Sequence, residues 1–219
     1  MLLPLLDIDL VIDVGANEGQ FARMLRQELG YDGTIHSFEP LPDAFELLKS
    51  AAASDGEWFV HNFALGDRES EVEFNVATHS VFSSFHGVNK RGNVKFRKGI
   101  EVLNSISVPV RRLDAVFEEL VPDIRSRRAF LKMDTQGHDK WVFEGAGDLV
   151  DALLGLQSEL SVLGIYEGVP DYVEMLDLYR SHGFELSGIY AVNRYRGTGH
   201  IIELDCVFAT LPPGMPATR

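Results

Sequence analysis

A chain of 219 residues with 45% hydrophobic content has the length and composition of one α/β domain with a sizeable buried core. Its formal net charge of −13 argues against sequence-independent binding to nucleic-acid phosphates, which requires a basic surface. The single cysteine, Cys206, excludes an intramolecular disulfide and a cysteine-based zinc site.

Leu10 to Val14 predicts a short buried strand that runs into a turn bearing Gly15, Asn17 and Gly19. An amphipathic helix follows at once, with Phe21, Leu25 and Leu29 on one face and Gly30 as its C-terminal cap. A strand, a tight turn and a helix N-terminus together suit a nucleotide-like ligand. Glycine lets the backbone come close, and the helix dipole and unpaired N–H groups lie at the turn. The spacing Gly15-x-x-x-Gly19 lacks the middle glycine of the dinucleotide fingerprint G-x-G-x-x-G. Asn17 stands there instead, and asparagine tolerates positive φ, so the turn can close.

Thr34 to Phe38 predicts a second strand ending at Glu39-Pro40. A carboxylate at the end of that strand can accept hydrogen bonds from a ribose diol, whichever nucleoside carries it. Pro42 fits the first turn of a second helix, with Phe45, Leu48 and Ala52 as its apolar stripe. Trp58 to Ala64 reads as a third strand. Val72, Phe74 and Val76 alternate with Glu71, Glu73 and Asn75, which predicts a half-exposed strand, with Ser107 to Val110 beside it. Residues 77–104 between them are irregular and long, the mark of a lid or binding loop. That stretch concentrates Lys90, Arg91, Lys95, Arg97 and Lys98 without an acid among them.

Ala129 to Met133 and Leu153 to Leu160 suit buried parallel strands. A helix over Tyr172 to Ser181 precedes strands at Phe184 to Ala191 and Glu203 to Thr210, and the tail 212–219 is expected to fray. The polar link Asn193 to Gly199 leaves no room for a crossover helix, so the last two strands are predicted antiparallel. Cys206 lies in this apolar run and reads as a small buried hydrophobe. The opening run Met1 to Leu6 is too short to span a membrane and has no basic start, so a cytoplasmic location with no membrane partner is expected.

Four fragments occur in order: Val11-Ile-Asp-Val-Gly-Ala-Asn-Glu-Gly19, Phe38-Glu-Pro40, Asn62-Phe-Ala-Leu-Gly-Asp67 and Phe130-Leu-Lys-Met-Asp-Thr-Gln-Gly137. Together they resemble the FkbM family of class I S-adenosylmethionine-dependent methyltransferases, over roughly residues 10–210. The resemblance implies a Rossmann-like α/β fold: a mostly parallel sheet with a C-terminal antiparallel hairpin and helices on both faces, in one domain over 1–211. It implies that Asp13, Gly15, Asn17 and Gly19 line the methionine end of S-adenosylmethionine and that Glu39 holds the ribose. Asn62 and Ala64 would lie near the adenine, and Asp134 near the reacting methyl. The chain departs from the family's pattern at His138-Asp139, where many relatives carry a small or aromatic residue followed by Glu.

The implied activity is methylation of a hydroxyl on a small molecule such as a sugar, a nucleotide-linked sugar or a polyketide-like compound, with S-adenosylhomocysteine as product. Removing the hydroxyl proton favours a positioned base, and Asp134, His138 and Asp139 fall within six residues. A helix beginning near Gly137 would set His138 and Asp139 in its first turn, facing the cleft mouth. With Glu159 these groups form an oxygen-rich set of the kind Mg²⁺ takes, but nothing in the linear order brings them together, and no metal is expected. Ser84, Lys95, Arg97 and Glu159 are the expected acceptor-binding residues, the basic pair suiting an anionic acceptor. An NAD-dependent oxidoreductase and a non-catalytic cofactor-binding or scaffold domain stand as alternatives.

Overall fold

The computed structural model describes residues 2–77, 102–195 and 197–211. Strands β1 (Leu10–Val14), β2 (Thr34–Phe38) and β3 (Trp58–His61) alternate with helices α1 (Gln20–Gln27) and α2 (Pro42–Ala52). A three-stranded sheet follows, β4 (Ala64–Gly66), β5 (Ser70–Ala77) and β6 (Val102–Arg112), and then α3 (Leu113–Leu120). The chain returns to the main sheet with β7 (Ala129–Met133), α4 (Asp139–Glu144), β8 (Leu153–Ser161), α5 (Tyr172–Ser181), β9 (Phe184–Arg194) and β10 (Ile201–Thr210).

The main sheet has the order β3-β2-β1-β7-β8-β10-β9. Pairs from β3 to β8 are parallel, whereas β10 runs antiparallel to both β8 and β9. The hairpin expected at the end of the chain therefore inserts its second strand between β8 and its first. Alternation along the strands feeds two cores. Leu10, Ile12, Val14, Leu131 and Met133 face α3, α4 and α5 through Phe117, Phe143 and Tyr179. Val11, Ile35 and Phe130 face α1 and α2 through Leu25 and Leu48. Helices thus cover both faces.

Four local expectations are corrected. The apolar run from Trp58 does not continue to Ala64 as one strand. It breaks at Asn62, whose side-chain amide donates to the carbonyls of Glu39 (2.9 Å) and Pro40 (3.2 Å). Ala64 then pairs with Val110 in the smaller sheet. Helix α1 stops at Gln27, which leaves Leu29 40% exposed, and in α2 Ala44 is buried more deeply than Phe45. The strand expected over Ser107–Val110 is longer, spanning Val102–Arg112 in antiparallel register with β5.

Candidate active site

The turn after β1 is built from the strands beneath it. Gly15 N and Ala16 N both donate to the Phe38 carbonyl, at 3.1 and 3.0 Å, Gly19 N donates to Ala16 O, and Asn17 N donates to the Glu39 carboxylate at 2.8 Å. These N–H groups are therefore spent inside the protein rather than left unpaired. What the turn offers a ligand is close backbone approach. Gly15, Asn17 and Gly19 all have positive φ (73°, 48° and 83°). A Cβ on Gly15 would collide with the Asp134 carbonyl oxygen, and one on Gly19 would press on Trp58 and Leu48. The turn lies directly against the segment that follows β7, as an open parallel sheet requires of a site at its carboxyl ends.

Glu39 is 5% exposed. Its two oxygens accept from Asn17 N and Leu41 N, both at 2.8 Å, which leaves each a second lone pair. Burial pushes its carboxyl up to about 7, against the pull of those N–H groups and of Lys132. Asp13 is fully buried: Oδ2 accepts from Ser37 Oγ at 3.1 Å, and Oδ1 lies 3.1 Å from Lys132 Nζ. It supports the turn from below, without an exposed surface of its own. Asn62 is exposed at the end of β3, whereas Ala64 is buried.

Asp134 is exposed, its N–H bonded to Val14 O and its carboxylate 3.8 Å from Lys132 Nζ. Gln136, at φ 53°, donates from Nε2 to Glu159 Oε2 at 3.1 Å and to Asp134 Oδ1 at 3.4 Å, and its Oε1 accepts from Tyr166 Oη at 2.7 Å. The amide thus bridges two of the sequence-identified carboxylates. Burial and then the charge of Asp134 raise the Glu159 carboxyl well above the ordinary range, with Glu203, Asp139 and Asp205 adding to the effect. The same causes, burial first and Asp134 next, raise Asp205 to about 6.

The two residues expected at the cleft mouth point elsewhere. His138 precedes α4, and its ring stacks on Trp141 at 4.9 Å with Nε2 against Gly66. Asp139 is 2% exposed. It accepts from Thr135 N (3.0 Å), Thr135 Oγ1 (2.5 Å), Ser158 Oγ (2.6 Å) and Glu159 N (3.1 Å), while Tyr179 Oη donates to the same Ser158 hydroxyl. Asp139 is a buried tie between the β7 loop and β8. Ser84, Lys95 and Arg97 lie outside the described residues.

Sequence reasoning missed Lys132, Gln136, Tyr166 and Asp205 as neighbours of the site. Lys132 left a signal, as a charge inside the otherwise apolar run Ala129-Phe-Leu-Lys-Met133, and Gln136 stood in the fragment that carries the resemblance. Among the described residues, no group of three or more His, Cys, Asp or Glu is arranged to hold a metal ion, and no helix is long and apolar enough to cross a membrane.

The model of the methyltransferase FkbM domain matches residues 13–186, which takes in the turn, Glu39 and the whole β7 segment. The chain belongs to the FkbM methyltransferase family. In solved structures the fold recurs in the methyltransferase FkbM from Methylobacillus flagellatus KT (TM-score 0.54, 15% identity), where the match covers 91% of this chain and 44% of that one. It recurs also in Aeropyrum pernix fibrillarin, solved with natively bound S-adenosyl-L-methionine (TM-score 0.51, 10% identity, 92% of this chain and 66% of that one). The FkbM chain therefore spans less than two thirds of either protein's length. Comparison with curated proteins finds no match.

Proposed function

We propose that this FkbM domain transfers a methyl group from S-adenosylmethionine to a hydroxyl of a small molecule, such as a sugar, a nucleotide-linked sugar or a polyketide-like compound. The observation that carries this reading is the position of Asp134, whose main-chain carbonyl abuts Gly15 and whose exposed carboxylate is joined through Gln136 to Glu159. The residues present fit the cofactor. The Gly15–Gly19 turn admits its amino-acid end, Glu39 offers lone pairs to its ribose, and Asn62 stands at the adenine side.

When bound, S-adenosylmethionine supplies an electrophilic methyl group on a sulfonium. What remains for the protein is alignment of the acceptor and removal of its proton. Asp134 is assigned the position nearest the acceptor hydroxyl. As the exposed carboxylate beside that hydroxyl, Asp134 takes up its proton, and the Gln136 amide, which donates to both Asp134 and Glu159, fixes its side chain. His138 is set aside as base because its ring packs on Trp141 and Gly66, and Asp139 because four donors engage its carboxylate. Ser84, Lys95 and Arg97 are proposed as acceptor contacts, and reversing the two basic charges should raise KM for an anionic acceptor in a salt-dependent way.

The test is calorimetric titration of cofactor-stripped protein with S-adenosylhomocysteine, with NAD and NADP alongside. Micromolar binding that weakens in Glu39→Ala, without dinucleotide binding, supports the assignment. Dinucleotide binding alone overturns it. With an acceptor in hand, turnover that survives Asp134→Asn undiminished would remove Asp134 from the chemistry.

A further inference from the structure

Every residue of β7 is buried, and one of them is a lysine. Taking an ammonium out of water costs several kcal/mol unless its partners are well placed. Lys132 Nζ lies 3.1 Å from Asp13 Oδ1, 3.2 Å from the Gly15 carbonyl oxygen and 3.8 Å from Asp134 Oδ2, with the Phe21 ring centroid at 5.6 Å. Burial works against its charge, yet Asp13 and Asp134 outweigh that and hold the ammonium protonated.

The contacts continue straight across the sheet. Lys132 is in register with Asp13, and Asp13 with Ser37. Ser37 Oγ donates to Asp13 at 3.1 Å and accepts from Trp58 Nε1 at 2.9 Å. One polar line thus runs from β3 to β7 beneath the turn. Neutralising Asp13 would need only the first of the lysine's contacts. The other two reach a main-chain carbonyl of the turn and the exposed carboxylate beyond it.

We propose that Lys132 is the positioning residue of the cofactor site, fixing the Gly15 peptide and drawing Asp134 toward the turn, so that one buried cation aligns both sides of the methyl-transfer cleft. This inference rests on the reading that the Gly15–Gly19 turn holds S-adenosylmethionine. The ammonium anchors the Gly15 carbonyl from below, which fixes the peptide plane at the closest point of backbone approach. It also tethers the otherwise exposed Asp134 carboxylate, at 3.8 Å.

The experiment removes the buried charge pair as a unit. Asp13→Asn, Lys132→Met and the double variant are compared with the parent chain by thermal unfolding and by titration with S-adenosylhomocysteine. Lys132→Met alone should unfold at lower temperature, because it strands Asp13 without a cation. The double variant should regain the midpoint of Asp13→Asn yet bind S-adenosylhomocysteine at least tenfold more weakly than Asp13→Asn does. Recovery of affinity along with stability would overturn the proposal and leave Lys132 as a counter-charge only. Should the double variant fail to fold, Lys132→Gln keeps one donor on the strand. A folded Lys132→Gln protein should also lose tenfold or more, and parental affinity there would overturn the proposal equally. No binding by the folded parent chain would overturn the cofactor reading itself, and this inference with it.

Discussion

The two halves of the sheet treat their carboxylates in opposite ways. Beneath the turn, Asp13 faces a lysine and a serine hydroxyl, and Glu39 accepts two backbone N–H groups. Across the cleft, Asp134, Glu203 and Asp205 crowd Glu159; Gln136 donates to Asp134 and Glu159, Asn193 donates to Glu203, Tyr166 stands behind Gln136, and Lys132 reaches Asp134 at 3.8 Å. Burial raises proton affinity in both halves, at Glu39 as at Glu159 and Asp205, and neighbouring carboxylates add to it most in the second. On the proposed function, the first half holds the cofactor in one pose and the second takes up the acceptor's proton.

The sharpest way to break the first half is Gly15→Ala. The new methyl enters the Asp134 carbonyl oxygen at a positive φ that by itself costs an L residue about 1–2 kcal/mol. Binding of S-adenosylhomocysteine should fall below detection by calorimetry. Asp134→Asn breaks the second half without touching the core. Its expected signature is a fall in kcat of roughly 10²–10⁴ with a thermal midpoint close to that of the parent. Asp139→Ala should do the reverse. It strands donors from Thr135, Ser158 and Glu159, so urea unfolding should report a loss of about 2–4 kcal/mol. Cofactor affinity per folded molecule should change far less.

The smallest expected effect concerns acid, and within the first half it has two signs. His36 Nδ1 and His61 Nε2 are 3.0 Å apart among Phe38, Phe59 and Phe117. Burial depresses both imidazoles to about 4, with His61 adding to the effect on His36 and Arg111 to that on His61. The unfolded chain therefore takes up protons first as pH falls from about 6.5 to 4, and the pair's stabilisation is lost through that window. Glu39 has the opposite sign: its carboxyl sits at about 7, so its contribution is present at low pH and is lost as pH rises through 7. Replacing His36 with Phe should reduce the loss of stability between pH 7 and pH 5 by about 1–2 kcal/mol, read from urea midpoints at the two pH values.

Many strands and helices were legible where an apolar run met a glycine, a proline or a polar link, although α3 (Leu113–Leu120), which stops before Pro122, was not. Tyr172–Ser181, for instance, forms the helix its pattern predicts, capped by Asp171 and Glu174. The turn and Glu39 were legible because their partners lie within one βαβ unit. What stayed hidden depended on distant partners. Asn62 ends β3 because its amide caps carbonyls 22 and 23 residues earlier. Asp139 reads as an exposed first-turn acid until Ser158 and Tyr179 come up from β8 and α5. Lys132 reads as an oddity in a buried strand until Asp13 arrives from across the sheet.

The place of β10 sets an order of assembly. It follows β8 and β9 in the chain yet lies between them, so β9 joins the sheet only through β10, and the hairpin docks with β10 against β8. Synthesis from the N-terminus presents β1, β2 and β7 before that docking is available, and such long-range pairing is slow. Asp205 and Glu203 travel on the docking strand. A growing chain can therefore form the Gly15–Gly19 turn while the carboxylates that crowd Glu159 are still being delivered.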